Sequence, residues 1–83
     1  MKVKNYKGAK NQFIIEDKKN RTTTFQSYDS TIAIKDRFGN ITLGIDWDYS
    51  STTGKYRNMF LCEDKKATQK KIDNGTYKID VTI

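Results

Sequence analysis

Histidine and proline are absent from this 83-residue chain, and cysteine and tryptophan occur once each. Without histidine the chain lacks the side chain that titrates nearest neutral pH and the commonest ligand of catalytic zinc. Cys62 has no imidazole to take its proton, so it reads as a structural thiol rather than a nucleophile. A single cysteine also forms no intrachain disulfide, which excludes a disulfide-stapled scaffold and points to a reducing, cytoplasmic setting. Met1 to Lys10 alternates lysines with polar residues where a signal peptide would carry an apolar run, and no later stretch reaches the length of a membrane span. A soluble chain, free of membrane, is expected. With no proline, low-complexity linker or internal repeat, nothing marks a boundary, and residues 1–83 read as one domain.

Apolar residues make up 35% of the chain and charged residues 31%. That is enough apolar material for one sheet face and one or two helices, and too little to cover a sheet on both sides. The formal net charge of +6 is uneven: residues 1–21 carry seven Lys or Arg and two acids, residues 22–54 two and four, residues 55–83 seven and four. Basic ends suit a nucleic-acid or acidic partner and serve solubility equally well.

Gln12 to Asp17 and the β-branched run Thr22 to Phe25 predict a hairpin across the polar turn Lys18 to Asn20. Thr31 to Lys35 predicts a third strand with Ile32 and Ile34 on one face and Ala33 and Lys35 on the other. Phe38-Gly39-Asn40 supplies the next turn, and Ile41, Leu43 and Ile45 alternate as a fourth strand. After Trp47 the period changes. Ser50 or Ser51 caps a helix ending near Cys62, with Tyr56, Met59 and Phe60 as its apolar stripe. Gly54 in its early turns costs about 1 kcal/mol relative to alanine. Asp64 caps a second helix through Asp73, stopped by Asn74-Gly75. Tyr77, Ile79, Val81 and Ile83 then alternate with polar residues as a closing strand. The fold class expected is α+β, a small antiparallel sheet with elements in the order ββββααβ packed on one or two short helices.

Motifs for chemistry fail one by one. Asp46, Asp48 and Ser50 fall at the first, third and fifth positions of a calcium loop, but Ser51 replaces its turn glycine and Arg57 stands where a bidentate glutamate belongs. Gly54-Lys55 matches the end of a phosphate-binding loop, yet Tyr49 occupies the earlier glycine position and Tyr56 the hydroxyl position. Asp46 and Asp48 are close enough in sequence for an acid and base pair, but solvated acids beside Trp47 are the favoured reading. No catalytic residue, metal ligand or cofactor is expected. The positive signals are aromatic and basic residues side by side: Tyr6 among Lys2, Lys4, Lys7 and Lys10, Tyr28 beside Gln26 and Ser27, and Tyr56 between Lys55 and Arg57.

Two segments resemble the signature of a widespread family of small proteins of unknown function carried by bacteriophages and other mobile elements. They are Phe25-Gln26-Ser27-Tyr28-Asp29-Ser30-Thr31-Ile32-Ala33 and Trp47-Asp48-Tyr49-Ser50-Ser51-Thr52-Thr53-Gly54-Lys55-Tyr56, the latter followed by Phe60-Leu61. The family brings no activity with it, and its members often carry histidine where this chain has Tyr56. The resemblance implies a phage accessory protein in the host cytoplasm. Joined to the missing catalytic set, it leads to the expectation of a non-enzymatic protein that binds and blocks a host protein or protein–nucleic-acid complex, an anti-defence inhibitor of the anti-CRISPR type. The contact residues expected are Tyr28, Trp47, Tyr49, Lys55, Tyr56 and Arg57. One alternative is a nucleic-acid binder using its basic termini, with Lys65, Lys66 and Lys70 on phosphates. Another is a small-nucleotide binder with a pocket of Tyr28, Trp47, Lys55 and Arg57. The same aromatic and hydroxyl residues also suit turns, caps and core, and burial decides between the uses. The last strand closes its own sheet or pairs across a dimer edge.

Overall fold

The computed structural model describes residues 1–83. It is an α+β fold whose six strands, β1 (Lys2–Asn5), β2 (Gln12–Asp17), β3 (Thr22–Ser27), β4 (Ser30–Lys35), β5 (Ile41–Leu43) and β6 (Lys78–Ile79), lie in the sheet in chain order. The first five run antiparallel as a meander. Helices α1 (Ser51–Leu61) and α2 (Lys65–Asp73) make the crossover that a parallel β5–β6 pair requires. The order ββββααβ is as the sequence predicts, with one further strand, β1, ahead of it. β1 lies at a sheet edge, all four of its residues are exposed, and Tyr6 to Gly8 follow it as a 3-10 turn.

Two details of the sheet depart from simple alternation. The register of β3 on β4 shifts between Phe25 and Gln26, so Ala33 faces Phe25 while Thr31 faces Gln26. The bulge leaves Ile32 as the extra residue, and both Ile32 and Ala33 are fully buried instead of lying on opposite faces. The closing strand is two residues long rather than running from Tyr77 to Ile83. Asp80 still donates its N–H to Leu43 O, but its carboxylate accepts from the Thr82 N–H, and this local turn peels the chain away. At the exit of β5, Gly44 donates to Ile32 O, and a Cβ there would collide with the Thr31 carbonyl oxygen. Only glycine permits that approach.

The core comprises Ile14, Phe25, Ile32, Ala33, Ile41, Leu43, Phe60, Leu61 and Tyr77, with Tyr6, Trp47, Tyr56 and Ile72 packed against it. Phe60 stacks on Phe25 at 5.9 Å between centroids, which fixes the C-terminal half of α1 on the sheet. Its N-terminal half docks by polar contact: Thr53 is buried and its hydroxyl lies 2.8 Å from Ser27 Oγ. The buried face of α1 is therefore Thr53, Arg57, Phe60 and Leu61, with Tyr56 and Met59 half-buried at its margin. Ser50 caps α1 by accepting from the Thr53 N–H, and Asp64 caps α2 by accepting from the Ala67 N–H. No helix is long and apolar enough to cross a membrane.

Candidate functional site

Residues 44–49 carry the chain from β5 to α1 through two successive turns, in which the Trp47 N–H donates to Gly44 O and the Tyr49 N–H to Asp46 O. Trp47 packs inward on the core, while Tyr49 is left 62% exposed. Across from it stands Tyr28, 46% exposed, its ring centroid 6.5 Å from that of Tyr49. Tyr28 belongs to the tight connection between β3 and β4 and holds φ at +53°, a left-handed conformation that costs a bulky side chain about 1 kcal/mol. Its backbone is pinned on both sides, the N–H donating to Asn11 O and the carbonyl accepting from Gln26 Nε2, each at 2.7 Å. Two exposed aromatic rings are thus held on rigid supports.

Beside Tyr49 opens a cleft of about 600 Å³ lined by Asp48, Ser50, Ser51, Gly54, Lys55, Arg57, Asn58 and Lys65, with no apolar residue among them. Its deepest member is Arg57, whose side chain is 1% exposed. Arg57 Nη1 donates to the Trp47 carbonyl at 3.0 Å and to Asp48 Oδ1 at 3.1 Å, and Nη2 donates to Asn58 Oδ1 at 2.9 Å. The guanidinium carbon lies 5.2 Å from the Trp47 ring, a cation–π contact. Arg57 Nε is buried and has no partner. Asp48 turns its second oxygen to Lys65 Nζ at 2.7 Å. The hydrogen bond from Lys65, joined by that from Arg57, outweighs desolvation and holds the Asp48 carboxyl below the usual aspartate range.

Residues 1–75 match a family of unknown function, DUF8033. The chain belongs to that family. No curated protein and no solved structure matches it. The DUF8033 match takes in β1 through α2, hence both tyrosines and the whole cleft, and leaves out β6.

Burial separates the contact residues named from the sequence. Tyr28, Tyr49 and Lys55 are exposed. Trp47 and Tyr56 pack on the core, the latter 5.6 Å from the Tyr6 ring, and Arg57 lies under the cleft instead of at the surface. Of the lysines on α2, Lys65 lines the cleft, whereas Lys66 and Lys70 are exposed elsewhere on the helix. Asp46 and Asp48 do not act together: Asp46 Oδ2 accepts from Ser30 Oγ at 2.8 Å, and Asp48 is taken by the two cations. Asn58, Ser50 and Ser51 belong to the cleft without having been singled out as contacts. The signal for their place was Gly54, a helix-weakening residue where the polar cap meets Lys55.

A second polar cluster lies at the other end of α1. Glu63 accepts from Lys71 Nζ and Thr68 Oγ1, both at 2.6 Å, and from Tyr77 Oη at 3.0 Å, tying the α1–α2 junction to the chain entering β6. Burial pushes its carboxyl up, but the hydrogen bonds from Lys71, Thr68 and Tyr77 and the charge of Lys71 outweigh it, and the group sits below the ordinary glutamate value.

Proposed function

We propose that this DUF8033 member is a non-enzymatic phage accessory protein that binds and blocks a host macromolecule, an anti-defence inhibitor acting in the host cytoplasm. The observation that carries the reading is the Tyr28–Tyr49 pair. Exposed tyrosines are the anchors that protein interfaces favour, because they offer large contact area with few rotatable bonds. Here Tyr28 is kept at the surface in a backbone conformation that glycine or asparagine would adopt at less cost. The phage setting rests on the resemblance carried by Phe25 to Ala33 and Trp47 to Leu61. The non-enzymatic reading rests on the missing histidine and on carboxylates that are engaged singly, Asp46 by Ser30 and Asp48 by Arg57 and Lys65.

The test is affinity capture from host lysate at physiological salt, run in parallel with the wild-type protein and a Tyr28→Ala/Tyr49→Ala double variant. The expected result is a host protein or complex retained by the wild type and released by the variant. Each truncation removes about 2 kcal/mol of binding, roughly thirtyfold in affinity. Both rings are exposed, so the variant keeps its fold and its unfolding midpoint. Equal recovery by the two proteins, or nothing specific recovered by either, counts against the proposal.

A further inference from the structure

Gly54 sits in the second turn of α1, where neither its backbone nor its neighbours demand glycine. Its φ is not positive, and a Cβ added there would meet Arg57 Nη2 at 3.5 Å and Nη1 at 3.8 Å, ordinary contact distances. Alanine would fit and would favour the helix. What glycine does at this position is put no side chain between the Nη atoms and the cleft, although the guanidinium itself is only 1% exposed. Arg57 is buried, and it is under-used: its Nε–H is a buried donor with no acceptor. A buried cationic donor left unpaired is costly, and an anion is the partner that suits it best.

The surroundings of the guanidinium select the same kind of partner. Lys55 and Lys65 join Arg57 on the cleft, three cations against the single carboxylate of Asp48, and both Asp48 oxygens are already occupied. Ser50 has turned its hydroxyl to the Thr53 N–H, which leaves the Ser51 N–H at the mouth of the cleft without a partner in the chain. The first turn of α1 contains no acidic residue. A group with several charged oxygens, small enough to enter an open polar cleft, matches these donors. A carboxylate offers two oxygens, and a phosphate offers three or four.

We infer that the cleft between the N-terminal turn of α1 and the start of α2 is a binding site for a phosphate group, held by Lys55, Lys65 and the Ser51 N–H above the charge of the buried Arg57 guanidinium. The phosphate is either free or carried by a small nucleotide. The site is independent of any macromolecular partner, since its probes are small ions and the Tyr28–Tyr49 capture experiment does not depend on it.

Trp47 is the sole tryptophan and lies against Arg57, so its fluorescence reports on the guanidinium. The experiment titrates the wild-type protein with orthophosphate, with adenosine monophosphate and with chloride at matched ionic strength, and follows Trp47 emission and the thermal midpoint together. Orthophosphate is expected to give a saturable signal that chloride does not reproduce. Stronger binding of the monophosphate assigns the site to a nucleotide, and equal binding assigns it to the free ion. Lys55→Ala removes an exposed cation and Gly54→Ala sets a methyl group between the guanidinium and the cleft, and each is expected to weaken phosphate binding about tenfold with the fold intact. No saturable response in either readout, the same response to chloride, or unchanged binding by both variants overturns the assignment.

Discussion

Two charged residues anchor α1, Arg57 from the middle of the helix and Glu63 just past its C-terminal end, and they are satisfied to different degrees. Glu63, 8% exposed, receives hydrogen bonds from Lys71, Thr68 and Tyr77, three donors drawn from α2 and from the approach to β6. Arg57, more deeply buried, has acceptors for Nη1 and Nη2, none for Nε, and a cleft above it. The first network is closed and holds two elements together. The second is incomplete, with one donor unpaired beside a cleft. Burial alone does not separate scaffold from site here, and neither does charge; the difference is a polar atom left unpaired where the surface is indented. Gln12 shows that both conditions are needed. Its amide is fully buried without partners, opposite Ser27 in the sheet, but it lines no cleft and so offers a ligand no way in.

The sharpest break of this comparison is Glu63→Ala, which removes the acceptor that Lys71, Thr68 and Tyr77 share. Lys71 is partly exposed and keeps solvent, so the expected loss is about 2 kcal/mol rather than the larger cost of a fully buried pair. Urea unfolding reads that loss, and phosphate affinity at the opposite end of α1 should not move. An equal loss of phosphate binding would mean that the two networks are one.

Acid offers a second way to sharpen it. The Glu63 carboxyl lies below its ordinary value in the folded protein, so its contribution is complete above about pH 4.3, the unfolded value, and is lost as pH falls through the folded one. Asp48 has the same sign, and the largest cause of its lowering is the hydrogen bond from Lys65 at the surface. Asp17, Asp36 and Asp80 are lowered as well, chiefly by hydrogen bonds within their own turns, so the wild-type acid limb is a composite. The difference between wild-type and Glu63→Gln midpoints across pH isolates the buried carboxyl: it should be constant above pH 5 and shrink in more acid solution. A difference that grows on acidification would reverse the assigned sign.

The smallest expected effect is the most discriminating for the incomplete network. Gly54→Ala should raise stability by about 1 kcal/mol through helix propensity, because its Cβ meets Arg57 at ordinary contact distance. A variant that folds better and holds phosphate less well cannot be explained by damage to the scaffold.

Most of the sheet and both helices were legible in the sequence, because β2 and β3 are built of β-prone residues around a polar turn, β4 and β5 carry isoleucine or leucine at alternate positions, and both helices begin on a capping side chain, Ser50 and Asp64. What escaped had physical causes. β1 contributes one apolar residue, Val3, and lies exposed at an edge, so no period marks it. The alternation after Tyr77 was genuine, but hydrogen bonding within the Asp80–Thr82 turn competes with the ladder and wins after two residues. The buried face of α1 was misjudged because half of it is polar: Thr53 and Arg57 are buried through hydrogen bonds, which a search for apolar spacing passes over. The cleft gathers residues from the 44–49 turns, α1 and the first turn of α2, a meeting that only the tertiary fold produces. The residues for a contact surface were named more widely than the fold uses them, since a sequence does not reveal which of several tyrosines fills the core.

The unpaired donor of Arg57 is tested most directly by its own Nε–H resonance, followed by nitrogen–proton NMR while orthophosphate is added. The account predicts a saturable shift of the Arg57 Nε–H and of the Ser51 amide, while Thr68 and Tyr77 around Glu63 stay unmoved. An Arg57 Nε–H that does not respond at saturating phosphate, or shifts of equal size around Glu63, would contradict it.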